Sequence, residues 1–125
     1  MNKDLKPGLS FNLRKPLIRV HKDTLHLLED PEYILLYINP EKKVVAIIPC
    51  DKNSKDVNYA HKISGYNIEN NKTFELYSKD LVSNILKLPI KWNQKGTYTI
   101  SGYYHNNPPM VMFNLEDAVE INNKD

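Results

Sequence analysis

Two apolar runs around a short polar turn constrain this chain more than any other feature. Residues 33–38 read Tyr-Ile-Leu-Leu-Tyr-Ile without a polar break, and residues 43–48 read Lys-Val-Val-Ala-Ile-Ile. Both are dense in the β-branched and aromatic side chains that suit a pleated strand. Asn39-Pro40-Glu41-Lys42 between them has turn chemistry, and Pro49 closes the second run. The segment is expected to be a β-hairpin.

The flanking sequence reads as short elements. Residues 1–16 are punctuated by Pro7-Gly8 and Pro16 and read as an irregular basic arm. Residues 17–21, Leu-Ile-Arg-Val-His, read as a strand. Asp23 is positioned to cap a short helix over residues 24–29, which Asp30-Pro31 stops. Residues 51–73 are polar and read as a linker, with a possible short strand at 62–68. Phe74-Glu75-Leu76-Tyr77 reads as a strand, and Ser78 or Asp80 caps a helix running to Lys87. Leu81, Val82, Ile85 and Leu86 share one face of that helix. Residues 97–104 alternate like a single strand, residues 106–109 form a loop, and residues 110–113 form another strand. Residues 115–119 form a last turn, and residues 120–125 are a tail.

The order strand, short helix, hairpin therefore occurs twice, in a unit at 17–50 and a unit at 74–119. A shift of 57 positions lays Lys22-Asp23 on Lys79-Asp80, the sole identical pair between the two first strands. The likeness lies in element order. One such unit buries too little apolar surface to stand alone, whereas two can interleave around a shared core. The expected fold is mainly β with short helices (α+β), the two units forming one small barrel-like domain over 17–119.

The chain's 125 residues allow one domain with a real core, and 41% hydrophobic against 26% charged residues is an ordinary globular balance. No apolar run has the length of a membrane span. Residues 1–8 hold no apolar stretch of the signal-peptide kind. The lone Cys50 allows no intrachain disulfide. A reducing, cytoplasmic setting is the expectation. Fifteen asparagines, with abundant Lys and Ile, point to an A+T-rich bacterial genome or to a phage or mobile element.

Charge is uneven. Residues 1–22 carry six basic side chains against one acidic, a net of +5; residues 23–50 carry two against five, a net of −3; the remainder balances at nine and nine. The basic excess is suited to a polyanion. Both arginines of the chain, Arg14 and Arg19, fall in it, and the guanidinium fork matches phosphate and guanine edges better than an ammonium does.

The tandem order of elements resembles the swapped-hairpin barrels of the AbrB, MazE and MraZ group of small bacterial DNA-binding proteins. The resemblance rests on the strand at 17–21, the short helix near Lys22-Asp23-Thr24-Leu25 and the hairpin, and extends from Leu17 to Phe113. The group usually sets a glycine or arginine and then a proline between first strand and helix; this chain has His21-Lys22-Asp23-Thr24 there and Ser78-Lys79-Asp80 in the second unit. The resemblance implies DNA binding and transcription regulation, with Arg19 and Lys22 facing DNA.

Other chemistry is thinly represented. Four isolated glycines form no phosphate loop. The histidines and Cys50 lack metal-ligand spacing, so no metal or cofactor is expected. Cys50 has His61 or His105 as a conceivable base, but no sequence feature supplies an oxyanion hole, and no enzyme is expected. The acidic groups Glu29-Asp30-Glu32 and Glu116-Asp117-Glu120 read as solvated surface. Of the eight tyrosines, Tyr33, Tyr37, Tyr98, Tyr103 and Tyr104 fall on expected strands, where they pack at a core rim or stack on bases. Tyr103 and Tyr104 point to opposite faces; with His105 they make a candidate protein-contact patch. Two functional readings follow. One is a small DNA-binding regulator contacting DNA through Arg14, Lys15, Arg19 and Lys22. The other is a protein-binding inhibitor or accessory module of a phage or mobile element, using Tyr103, Tyr104 and His105. A single-strand nucleic-acid module ranks behind both. The chain is expected to act as a monomer or homodimer, away from membranes.

Overall fold

Leu9, Phe11 and Leu13 alternate at period two, and that pattern decides the architecture around them. In the computed structural model, which describes residues 4–63 and 72–121, Gly8–Asn12 is a strand, β1. It lies at the centre of a five-stranded antiparallel sheet with Leu9 and Phe11 fully buried. The stretch read as an irregular arm is thus partly core. Pro7 precedes the strand, Gly8 opens it, and Pro16 falls in the turn after it, so the punctuation brackets β1 instead of breaking it.

The other strands of this sheet are β2 (Leu17–His21), β6 (Thr73–Tyr77), β7 (Thr97–Ser101) and β10 (Val119–Glu120), in the order β10-β7-β1-β2-β6. The second sheet holds β3 (Tyr33–Asn39), β4 (Val44–Cys50), β5 (His61–Lys62), β8 (Tyr103–Asn106) and β9 (Pro109–Asn114), in the order β5-β3-β4-β9-β8. The hairpin β3-β4 forms as read, from Tyr33 opposite Cys50 to Asn39 opposite Val44. Pro49 does not end β4. The β9 ladder stops at Ile47, so Pro49 sits where β4 has lost one neighbour and a missing N–H is tolerated. The sheets do not close into a barrel; each keeps two edge strands.

The two units interleave. β2 pairs with β6, Ile18 opposite Leu76, and β4 pairs with β9, Val45 opposite Phe113. Each sheet therefore draws strands from both units. One core unites Phe11, Ile18 and Val20 of the first sheet with Ile34, Ile47, Val111 and Phe113 of the second. The two helices, α1 (Lys22–Leu27) and α2 (Lys79–Leu86), add Leu25 and Ile85. The linker holds a 3-10 turn at Val57–Tyr59 and the edge strand β5; the rest of the strand suggested at 62–68 lies outside the described residues beyond Ile63.

Residues 97–104 are not one strand. The chain leaves the first sheet after Ser101 and enters the second at Tyr103. The crossing point is Gly102, where a Cβ would lie 2.5 Å from Cε1 of the buried Phe113 ring and 2.8 Å from the Met112 carbonyl oxygen. Only glycine permits that approach.

The helix caps differ. Ser78 caps α2, its Oγ accepting the Leu81 N–H at 3.1 Å in extended N-cap geometry. Asp23 does not cap α1: the N-cap is His21, whose side chain makes no capping bond, and Asp23 lies in the first turn, accepting the Lys6 N–H at 3.0 Å. The fully buried Thr24 serves another purpose. Its hydroxyl accepts the Gly8 N–H at 2.9 Å and donates to the Gly8 carbonyl at 2.9 Å, fastening the start of β1 to α1.

Two expectations follow. Gly102→Ala should lower stability by about 1–3 kcal/mol through overpacking against Phe113, read from the urea midpoint. Thr24→Val keeps the shape but strands both Gly8 groups, costing on the order of 1–3 kcal/mol. Thr24→Ser, which keeps the hydroxyl, should recover most of that loss in the same unfolding series.

Candidate nucleic-acid interface

The turn between β1 and β2, residues 13–16, is held at both ends. The Leu13 N–H donates to the Gly96 carbonyl at 3.0 Å, and the Pro16 carbonyl accepts the Ser78 N–H at 3.0 Å. Arg14 and Lys15 between these anchors are exposed. The second anchor is the N-cap of α2, so the turn lies against that helix. Lys79, Ser83 and Lys87 follow one another at four-residue spacing, one stripe of α2. Lys79, Ser83 and Lys87 line a groove of about 440 Å³ together with Leu13, Pro16 and Gln94. Lys95 is exposed beside Gln94. Thus Lys79 and Lys87 line the groove, while Arg14, Lys15 and Lys95 lie on the chain segments that border it, five cations in all. Among the described residues none of the five has an ion-pair partner, and Asp80 is the one acidic residue on α2.

The four basic residues singled out in the sequence do not form one patch. Arg14 and Lys15 sit on the turn whose Leu13 and Pro16 line the groove. Arg19 lies mid-sheet on the outer face of β2, where its Nε donates to Glu75 Oε2 at 2.8 Å across the strand pair. That contact is solvent-exposed and worth at most about 1 kcal/mol, yet it sets a carboxylate directly against the guanidinium. Lys22 opens α1 at the opposite end of β2 from the turn, roughly 17 Å away for a five-residue strand. Lys79 and Lys87 were not singled out; their eight-residue separation was the available signal.

Tyr103, Tyr104 and His105 lie on β8, an edge strand of the second sheet, and all three are exposed. His105 Nδ1 is hydrogen-bonded to the Pro108 carbonyl at 3.1 Å. Tyr98 follows the core-rim expectation: its ring is buried and stacks on Trp92 at 4.5 Å, while its hydroxyl accepts the Asn93 N–H at 2.6 Å.

Nucleophile-like contacts resolve into structure. Ser10 Oγ lies 2.8 Å from His21 Nε2, but it donates to Thr99 Oγ1 at 3.3 Å and so accepts from the imidazole. The three side chains bridge β2, β1 and β7. Cys50 on β4 and His61 on β5 have β3 between them, about 10 Å of sheet, and β8 with His105 is two strands from β4 on the other side. No cluster of three metal-ligating side chains occurs among the described residues. No helix among them is long and apolar enough to cross a membrane.

Burial lowers the pKa of His21; Asp23 opposes that shift and Arg19 adds to it. Burial alone lowers that of His61. Both imidazoles thus favour the neutral form when folded. Their contribution to stability is complete above the ordinary value of 6.5 and is lost as pH falls below it through the folded pKa. Thermal midpoints should drop between pH 8 and pH 5, and His21→Gln should flatten that dependence. No protein-family model matches the chain. No curated protein and no solved structure matches it either.

Proposed function

We propose that this protein binds DNA as a small cytoplasmic transcription regulator of bacterial or mobile-element origin, through the basic groove between the β1-β2 turn and α2. One observation carries the reading: Lys79 and Lys87 line a groove bordered by the turn that carries Arg14 and Lys15, and among the described residues none of the four has an ion-pair partner. A cluster of free cations displaces counterions from a phosphate backbone, and this release drives non-specific DNA affinity. The serine and glutamine in the groove supply neutral donors that suit phosphate or base edges. The interleaving of the two units is compatible with the swapped-hairpin likeness, which belongs to this proposal. Arg19 contributes less than its position in the basic segment suggests, because Glu75 offsets its charge. No catalytic step and no cofactor form part of this reading.

The protein-binding alternative draws on the exposed Tyr103, Tyr104 and His105 of β8. Fluorescence anisotropy with a random duplex discriminates the two. Under the DNA reading, binding lies in the ~1–100 μM range at physiological salt, and the logarithm of affinity falls with that of salt with a slope of roughly −3 to −4, as expected for about four phosphates neutralised. The double variant Lys79→Ala/Lys87→Ala should reduce that slope by about 2, whereas Arg19→Ala should leave it nearly unchanged. Absence of binding even at ~50 mM salt would sink the DNA reading.

A further inference from the structure

The helix α2 carries more chemistry than its two lysines. At about 3.6 residues per turn, its buried Val82 and Ile85 share one side, and Lys79, Asp80, Ser83, Asn84 and Lys87 share the opposite arc. All five are exposed. Among the described residues, none of their side chains makes an ion pair or a hydrogen bond. A helix surface that serves only to meet water often pairs its charges at four-residue spacing. Here that spacing sets Lys79 on Ser83, Ser83 on Lys87 and Asp80 on Asn84, so no charge meets its opposite.

Two features of this arc bear on the kind of nucleic acid it fits. Single-strand sites stack successive bases on aromatic rings. Among the described residues that line the groove beside α2 none is aromatic, and Tyr77, exposed at the end of β6, offers at most one such surface. The second feature is Asp80. A helix that met only phosphates would gain nothing from a carboxylate on its contact arc. Base edges in the major groove of a duplex present the amino groups of cytosine and adenine, which a carboxylate or an amide oxygen complements. Size agrees as well: that groove is about 12 Å wide and admits an α-helix.

We infer that α2 is the base-reading element: its exposed arc enters the major groove of duplex DNA, and Asn84 is a specificity-determining residue that selects adenine. The inference rests on the DNA reading above and adds which element reads sequence. In this arrangement one phosphate strand lies in the cleft between α2 and the β1-β2 turn, against Lys79 and Ser83 and within reach of the turn that carries Arg14 and Lys15. The Asn84 amide donates to adenine N7 and accepts from its N6 amino group, the pairing that suits an asparagine in the major groove. Asp80, one turn before Asn84, accepts from an exocyclic amine of a neighbouring base. Arg19 and Lys22 stay outside the contact. Lys79 and Lys87 are eight residues apart, about 12 Å along the axis, so the arc spans roughly 3–4 base pairs.

Two measurements on the full chain test this. The first is fluorescence anisotropy with three probes of one sequence and ~20 nucleotides per strand: duplex DNA, duplex RNA and single-stranded DNA. Duplex DNA should bind at least ~10-fold more tightly than either, because the deep, narrow major groove of an RNA duplex does not admit a helix. Equal or tighter binding of the RNA duplex or of the single strand overturns the inference and leaves the groove as a nucleic-acid site of another kind. Absence of binding to all three overturns the DNA reading itself, and the inference with it. The second measurement is selection from a randomised duplex pool, which should enrich a motif of roughly 3–4 base pairs that contains adenine. Asn84→Ala, an exposed change that removes no hydrogen bond of the fold, should reduce the preference for the enriched duplex over the random pool by about tenfold. Asn84→Gln, which keeps the amide, should retain most of that preference. Lys87→Ala should instead weaken enriched and random duplexes alike. Full preference in Asn84→Ala, or duplex binding by the unaltered chain without any enrichment, overturns the assignment.

Discussion

A single hydroxyl holds the start of the central strand. Thr24, buried in α1, satisfies both polar groups of the Gly8 backbone at the point where β1 enters the first sheet. Without that bridge the strand would enter the core with a donor and an acceptor unpaired, a cost comparable to the margin by which small domains are stable. Once β1 is seated, β2 and β7 pair along its two sides, and the Ser10 hydroxyl ties the two flanks through His21 and Thr99. The same turn of chain packs the His21 ring over Gly8, where a Cβ would strike it. The N-terminal segment, α1 and the first sheet are therefore one mechanical unit.

Legibility followed the range of the interactions. The hairpin, β2 and the Ser78 cap are encoded within a few residues, by apolar runs, turn chemistry and a hydroxyl before a helix, and they formed where those signals lay. β1 carried an equally local signal in Leu9, Phe11 and Leu13, obscured because Pro7, Gly8 and Pro16 were weighed as breakers of a segment that they delimit. The crossing at Gly102 left no trace in the alternation, since period two assigns a side chain to a face and not to a sheet. Closure into a barrel was equally beyond the pattern: element order does not determine which edges meet.

The candidate site divides in the same way. Charge counting pointed to Arg14 and Lys15, and they lie on the turn that borders the groove. It did not reveal Glu75, 56 residues from Arg19, or the helix stripe of Lys79 and Lys87 that the fold brings to the turn. The molecule has a groove lined by two lysines, a polar outer face on the first sheet and an outer row of Tyr37, Ala46, Met112 and Tyr103 on the second.

The central place of β1 has a kinetic consequence. During synthesis it leaves the ribosome ahead of the other nine strands, yet one of its two flanking partners, β7, follows almost ninety residues later, as the Ser10–Thr99 separation of 89 positions records. Until then β1 can pair with β2 on one side only, and its other edge stays open to pairing with a neighbouring chain. The first sheet has a high contact order, its loop-closure entropy falling due before its central pairing is made. Completion of the first sheet is consequently a late event in translation, and a polypeptide halted before Thr97 lacks β7 and β10, two of its five strands.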